Sequence, residues 1–346
     1  MLDKTIISLD LGATKCAAGI IQYHDDSEDY ICQKSCQIML ADTTSLIDLI
    51  RQIQEQLDLA FSEADAICIG AAGQYNGREL VHLTGAYPYP MRFADLAKIE
   101  RWPHYAVIHD YDTVVCATFT SYMNDNNNLL RLNACLPATH KRRVALGLGT
   151  GLGLKDGVLL PSGEFWLGKN EIGHIGIIQA PAAEPERLAK HLAFMKFLLA
   201  HQAKTQQPIT FENILTGRGM VHLHEFLYPS SATPTPGMIG DRISSGQVPE
   251  LLDLFAWYLG VFIGSVQLTF MPEGGIWMTG GVVIKNLAVF QEASFEAGIQ
   301  SSPAYQHERH SHPLGVMTNP QHALIGAGYY AMKRLLQPVN PSSSLR

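Results

Sequence analysis

Charge is scarce in this chain of 346 residues: Asp, Glu, Lys and Arg make up 16% of it, where roughly 25% is usual for a globular domain. Basic residues are the scarcer kind, 25 against 32 acidic ones, which leaves a net charge of −7. No basic stripe is available to displace counterions from a phosphate backbone, so nucleic-acid binding is excluded as a general role. The one basic run, Lys141-Arg142-Arg143, precedes an apolar segment and reads as a solvated strand entry. Cysteine forms no framework. Cys16, Cys68 and Cys116 lie in apolar runs, and Cys32 and Cys36 lack a second Cys or His pair at zinc-finger spacing. A reducing, cytoplasmic compartment is the expectation. Met1-Leu2-Asp3-Lys4 runs directly into a strand-like segment, and no secretory leader is expected. A Walker loop and a strand-linked G-x-G-x-x-G are both missing, so neither P-loop nor dinucleotide chemistry is supported.

What the chain does have is apolar surface, 47% of its residues. That much collapses into a core and excludes disorder over most of the length. The length argues for two domains or one large one. Leu254 to Met271 carries no charge and includes Gly260 and Gly264 at the small-xxx-small spacing of membrane helix pairs. Gln267, Ser265 and Thr269 interrupt it and no second span exists, so a buried helix is expected and no membrane partner.

Strand and helix signals alternate up to Asp110 in the way that builds an α/β layer. Thr5 to Leu9 and Cys16 to Ile21 read as strands around a Gly turn. Thr44 to Phe61 has the helical spacing Leu46, Ile47, Leu49, Ile50, Ile53, Leu57. Short buried strands follow at Ala66 to Ile69 and Tyr105 to Ile108. A second such half begins at Val144 and enters Gly149-Thr150-Gly151-Leu152-Gly153, with helices expected at about 184–203, at 212–227 and near Leu324 to Leu335. Pro338 to Arg346 reads as a tail. The two Gly turns are a coarse internal echo of one another, as two related halves would produce.

Several clusters carry chemistry. Asp10-Leu11-Gly12-Ala13-Thr14-Lys15 joins two strands; glycine admits close approach of an anion, Thr14 adds a hydroxyl, and Asp10 can hold a hydrated Mg²⁺. Gly149 to Gly153 offers a nest of amide N–H groups to a terminal phosphate; alternatively it is a plain hairpin, with Asp156-Gly157 signalling a type I′ turn beyond it. His109-Asp110 closes a strand, where α/β sheets present carboxylates to ligands, and an Asp there can accept a hydroxyl proton. Asp110 and Asp112 are also both candidate helix caps. Glu171-Ile172-Gly173-His174 provides an acceptor and a donor/acceptor for neighbouring hydroxyls of a polyol, with a metal site as the competing reading although no partners stand at obvious spacing, and Glu212 either joins them or caps its helix. Gly280-Gly281 after a strand admits a flat or phosphorylated ligand. His307, His310 and His312 with Glu308 match no standard metal spacing and read as a solvated loop.

In order and spacing these pieces resemble the bacterial ATP-dependent glucokinase family, in the sugar-kinase branch of the actin/hexokinase/Hsp70 superfamily, over nearly the whole chain. The resemblance implies an α/β, two-domain, actin/hexokinase-like (ribonuclease H-like) fold with an interdomain cleft. It puts a small domain at residues 1–117 plus 326–346 and a large one at 118–325, with bending near Gly326 and Gly328. Asp10 to Lys15 resembles the first phosphate motif (Asp10, Gly12, Ala13, Thr14, Lys15) and Gly149 to Gly153 the second (Thr150, Gly151). Gly280 and Gly281 match the adenosine motif, Glu171 to His174 the E-G-G-H sugar motif, and Glu212 to Gly219 the E-x-x-L-S-G-x-G segment. Asp110 takes the place of the family's base.

The departures lie on the sugar side. His109 stands where an Asn is usual, Thr84-Gly85-Ala86-Tyr87 replaces a T-N-x-x-W-like segment, and Ile172 replaces a glycine. Ile175-Gly176-Ile177-Ile178-Gln179 lacks the Cys-rich zinc motif of the related repressor/kinase branch. The implied activity is transfer of the ATP γ-phosphoryl to a hexose 6-hydroxyl, most simply of glucose. Asp110 acts as base; His109, Glu171, His174 and Glu212 hold the sugar; Asp10 anchors Mg²⁺ through water. ATP, Mg²⁺, a small hexose and a second copy in a homodimer are the implied partners. A kinase for mannose, fructose or an N-acetylhexosamine, or a sugar-binding regulator on the same fold, stays open as the alternative.

Overall fold

The computed structural model describes residues 3–76, 79–83, 87, 91–176, 184–202, 208–229, 232–301 and 304–337. Thr84, Gly85 and Ala86, Ile177-Ile178-Gln179 and the tail Pro338 to Arg346 lie outside the described residues. The chain divides into one unit of Met1–Leu129, Pro161–Leu167 and Asn319–Arg346, and another of Leu130–Leu160 and Gly168–Thr318.

The first unit is built on Lys4–Leu11 (β1), Lys15–His24 (β2), Asp29–Met39 (β3), Ala66–Ala71 (β4) and His104–His109 (β7), in the sheet order β3-β2-β1-β4-β7. Gly73–Tyr75 (β5) and Leu80–Leu83 (β6) form a separate hairpin. β1, β2 and β3 are antiparallel neighbours, whereas β1, β4 and β7 run parallel. β4, Ala-Ile-Cys-Ile-Gly-Ala, is buried at every position, as a central parallel strand covered on both faces must be. The helix Leu46–Leu57 turns Leu46, Leu49, Ile50, Ile53 and Leu57 into this core. It starts where Ser45 accepts the Asp48 N–H and stops at Asp58, which adopts a left-handed conformation.

The helix His322–Ala331, followed by a wider turn through Leu336, packs on β1 and on the helix Asp110–Ala117. A Cβ on Gly326 would fall 1.8 Å from the Thr113 carbonyl oxygen, and one on Gly328 2.7 Å from the Ile21 side chain. Close packing inside a helix therefore requires glycine at both positions.

The second unit holds Arg143–Leu148 (β9), Leu152–Leu159 (β10), Ile276–Thr279 (β12) and Leu314–Met317 (β13), ordered β10-β9-β12-β13. Two further short strands are Leu129–Arg131 (β8) and Phe165–Leu167 (β11). β9 and β10 make an antiparallel hairpin, and β12 and β13 continue parallel to β9. This repeats the pattern β2-β1-β4-β7, so the echo between the two Gly turns is an echo of topology. Asp156-Gly157 do not form a turn: they lie within β10, opposite Val144 and Arg143. The reversal is already made at Gly149 to Gly151, leaving β10 free to run on.

The helix Pro249–Phe270 is the one helix among the described residues long and apolar enough to cross a membrane, and it is instead mostly buried in this unit. Full burial of side chains such as Leu254, Phe255, Phe262 and Ile263 is worth about 1.5–3 kcal/mol each. Its glycines permit close contact with the helix Ala293–Gln300: a Cβ on Gly260 would lie 2.0 Å from the Phe295 carbonyl oxygen, and one on Gly264 2.8 Å from that of Ile299. The small-xxx-small spacing thus serves helix packing in a globular core. The helix expected at 184–203 spans Pro185–Gln202. The one expected over 212–227 breaks at Thr216 into Glu212–Leu215 and Gly217–Leu227, because Thr216 is extended and its hydroxyl accepts the Gly219 N–H to start the second piece.

Candidate active site

In the first unit, register sets the site. Pairing aligns Asp10 with Gly70 and Ala71 with His109, so the carboxyl ends of three parallel strands finish together. Gly12 closes the turn after β1, its N–H donating to the Lys15 carbonyl at 3.0 Å. Asp110 is the first residue of its helix and His109 the cap. Asp112 shares the capping with His109: His109 Nδ1 accepts the Tyr111 N–H at 3.2 Å, and Asp112 Oδ2 accepts the His109 N–H at 3.3 Å and the Tyr75 hydroxyl at 3.2 Å.

Asp110 is thereby left with a side chain 21% exposed, its Oδ1 accepting the Tyr111 N–H at 3.0 Å and lying 2.7 Å from His109 Nδ1. Asp10 is half-buried, and its carboxylate makes no hydrogen bond among the described residues. Burial, then the charge of Asp110, push it up to about 7, with Lys15 opposing. A carboxylate so poorly satisfied fits a cation-holding role, because a divalent ion supplies the charge that the protein withholds.

In the second unit the turn Gly149 to Gly151 is braced from three sides. The Gly149 N–H donates to the Gly151 carbonyl at 3.0 Å, and the Gly217 N–H donates to the Gly149 carbonyl at 3.1 Å. Glu212 Oε2 accepts the Leu152 N–H at 3.1 Å. Gly280, with φ +96°, passes so close to β9 that a Cβ there would lie 2.3 Å from the Leu148 carbonyl oxygen. By contrast, a Cβ on Gly149 or Gly281 would meet nothing within 4 Å among the described residues. The turn is thus held rigidly from behind, while Gly149, Thr150 and Gly281 stand at the open side where a phosphorylated ligand can approach. Glu212 belongs to this brace through Oε2 and is not, in this structure, a helix cap.

The Glu171 to His174 segment forms a short turn, with the His174 N–H donating to the Glu171 carbonyl at 3.0 Å. Glu171 and His174 are exposed, whereas Ile172 is buried in the apolar core. Gly173 lies against β10: a Cβ there would be 2.2 Å from the Leu152 carbonyl oxygen. Sugar motif and second phosphate turn are therefore joined through Leu152. Sequence reasoning missed Lys155, Asp156 and Asn170, which meet beneath this segment. Their signal was a Lys-Asp pair within an otherwise apolar strand.

Other features fall elsewhere. A groove of about 670 Å³ lined in part by Arg187, Lys190, Asp253, Trp257 and Ser301 touches none of these motifs, and its two cations are paired, Arg187 with Asp253 at 2.7 Å and Lys190 with Glu250 at 2.5 Å. His307 and His310 are exposed as a solvated loop requires, but His312 is buried, contrary to that expectation, because it sits where the chain enters β13. No group of three or more metal-ligating side chains occurs among the described residues.

A profile of the glucokinase family matches residues 7–334. A glucokinase of Chelativorans sp. (strain BNC1) is 25% identical over 347 aligned positions, covering 96% of this chain and 92% of that one. Among solved structures, the fold is similar to that of a glucokinase from an Antarctic psychrotroph, with a TM-score of 0.77 at 19% identity over 94% of this chain and 98% of that one. It is also similar to a ROK family glucokinase from Streptomyces griseus in complex with glucose and AMPPNP, with a TM-score of 0.58 at 16% identity over 93% and 97%. The fold is that of the actin/hexokinase-like sugar kinases, and the chain belongs to the glucokinase family, as a phosphotransferase that moves the phosphoryl group of ATP to a hexose alcohol.

Proposed function

We propose that the acceptor is the 6-hydroxyl of glucose and that Asp110 takes its proton. The observation that carries this reading is the arrangement at the end of β7, where Asp112 accepts the His109 N–H and the Tyr75 hydroxyl, and Asp110 keeps a partly exposed carboxylate beside the Tyr111 N–H and His109. Phosphoryl transfer demands little covalent help, so positioning and charge stabilisation supply most of the rate. Glu171, His174 and His109 contact sugar hydroxyls, while Glu212 acts from behind the phosphate turn. Gly12, Ala13, Thr14, Lys15, Thr150, Gly151, Gly280 and Gly281 are the residues that receive ATP in this reading. Asp10 would hold Mg²⁺ through water, and the bound ion would neutralise phosphate charge as transfer proceeds. Glycolytic sugar phosphorylation, cytoplasmic residence and assembly as a homodimer complete the proposal. They rest on the family and, for the compartment, on six cysteines that are all free.

A second reading, a kinase for another hexose, is favoured by His109 and Ile172 standing where the family pattern has other residues. Coupled ADP release across a hexose panel tests both. Glucose is expected to give the highest kcat/KM, and Asp110→Ala to lower kcat by about 10²–10⁴-fold while sugar binding persists. Sugar binding with no sugar of the panel stimulating ADP release overturns the kinase reading. Turnover of only a non-glucose hexose overturns the substrate and keeps the base.

A further inference from the structure

We propose that Lys155 is a positioning residue for the sugar-binding carboxylate of Glu171; this rests on the reading of Glu171 as a sugar ligand given above. Lys155 lies within β10 with a side chain only 5% exposed. An ammonium buried to that degree is costly unless it is paired and hydrogen-bonded. Its Nζ donates to the Asn170 carbonyl at 3.2 Å and stands 3.6 Å from Glu171 Oε1.

The loop before Glu171 is tied to the same strand. The Gly168 N–H donates to the Asp156 carbonyl at 2.8 Å, and Asn170 Nδ2 donates to Asp156 Oδ1 at 3.2 Å. Asp156 in turn lies 3.5 Å from Arg142 Nε. Both ends of the loop are close-packed: a Cβ on Gly168 would sit 2.1 Å from Asp156 Oδ1, and one on Gly173 2.2 Å from the Leu152 carbonyl oxygen. Backbone contacts therefore fix where the loop is. They do not fix where the Glu171 carboxylate points, since that side chain is 65% exposed.

Lys155 acts on that side chain. Its stem is held in the strand, its head is fixed by Asn170, and its charge selects the Glu171 rotamers that keep the carboxylate over the buried end. A carboxylate already ordered accepts sugar hydroxyls without losing rotamer freedom at the moment of binding. Lys155 touches no substrate in this scheme and works only through Glu171.

The test is a double-mutant cycle of Lys155→Met and Glu171→Gln, reading KM and kcat for the preferred hexose of the panel, KM for ATP, and hexose binding by calorimetry. Lys155→Met is expected to raise hexose KM about tenfold and leave ATP KM within about twofold. In the Glu171→Gln background the same change is expected to shift hexose KM less than twofold. Lys155→Gln, which keeps a donor to the Asn170 carbonyl without the charge, should fall between, and takes the place of Lys155→Met in the cycle if that variant does not fold. Equal effects of Lys155→Met in both backgrounds, or an unchanged hexose KM with only a lower melting temperature, overturn the proposal. Glu171→Gln with unaltered hexose KM and kcat overturns the sugar-ligand reading beneath it, which distinguishes the two failures.

Discussion

Gly280 and Gly281 are chemically identical neighbours with opposite tolerance for a methyl group, and the contrast yields a sharp expectation. Gly280 has φ +96° and ψ 154°, a region open in practice only to glycine, and strain of this kind costs of order 1–3 kcal/mol. A Cβ would also lie 2.3, 2.7 and 2.8 Å from the O, C and N of Leu148. Those atoms are backbone, so relief requires β9 and β12 to separate by several tenths of an ångström or more. Strain and lost packing together bring the expected destabilisation of Gly280→Ala to about 3–5 kcal/mol. At roughly 2–4 °C per kcal/mol for a unit of this size, the melting temperature should drop by about 10 °C. The displaced residue immediately precedes Gly149, so KM for ATP is expected to rise at least about tenfold while hexose binding measured by calorimetry stays near wild type.

Gly281 opens the helix Gly281–Lys285, and a Cβ there meets nothing within 4 Å. Gly281→Ala should leave stability within about 0.5 kcal/mol of wild type, or raise it, since alanine favours helix. Its ATP KM should nevertheless increase if the nucleotide closes on that position. Melting curves with ADP-release kinetics at varied ATP decide the matter. Equal stability of the two variants, or Gly280→Ala within about 0.5 kcal/mol of wild type, would refute the steric argument.

Three further expectations follow from burial. Asp10 titrates near 7 in the fold against 3.8 for an unperturbed Asp, so the native state holds the proton more tightly and stability falls as pH rises from about 4 to 7. In chelator-containing buffer Asp10→Asn should match wild type near pH 4 and exceed it at pH 8, by at most about 4 kcal/mol at 1.4 kcal/mol per pH unit, while kcat collapses; a less stable variant at pH 8 contradicts this. His191, His224, His312 and His322 are buried and their protonation is disfavoured by that burial. Their stability contribution is present above about 6.5 and lost as pH falls below it, so denaturant midpoints should decline on that side and His322→Gln should flatten the slope. Gly260→Leu, forced against the Phe295 carbonyl, should prevent the helices Pro249–Phe270 and Ala293–Gln300 from packing and sharply reduce soluble yield; a normal yield with a normal melt contradicts that placement.

Much of the fold was legible because its strands are short apolar runs bounded by glycine, and its helices repeat apolar residues at helical spacing. The run Ala66 to Ile69 and the stripe from Leu46 to Leu57 needed no partner to be recognised. Boundaries and breaks were less legible. Thr216 splits a helix that reads as continuous, because a hydroxyl capping the next segment competes with the helix ladder in a way that periodicity does not register. Asp156-Gly157 carries a turn signal, yet pairing with β9 holds it extended, an instance of sheet context overriding local propensity.

The active-site motifs were visible for a related reason: glycines and carboxylates at strand ends stand out against apolar runs. The sequence alone therefore determined the class of chemistry, an ATP-dependent sugar kinase. Its low charge content also has a source in long buried segments such as Pro249–Phe270. Tertiary structure decided which partners each of these residues finds. Asp110 and Asp112 are equivalent as caps in sequence, and only the hydrogen bonds of Tyr75 and His109 to Asp112 separate them. Glu212 reads as a sugar ligand or a cap until its carboxylate is seen holding the Leu152 N–H. Lys155 is an unremarkable strand lysine until its burial beneath Glu171 gives it a task. Local sequence encodes what a segment can form, whereas desolvation and hydrogen-bond partners come from residues distant in the chain, and those set the role.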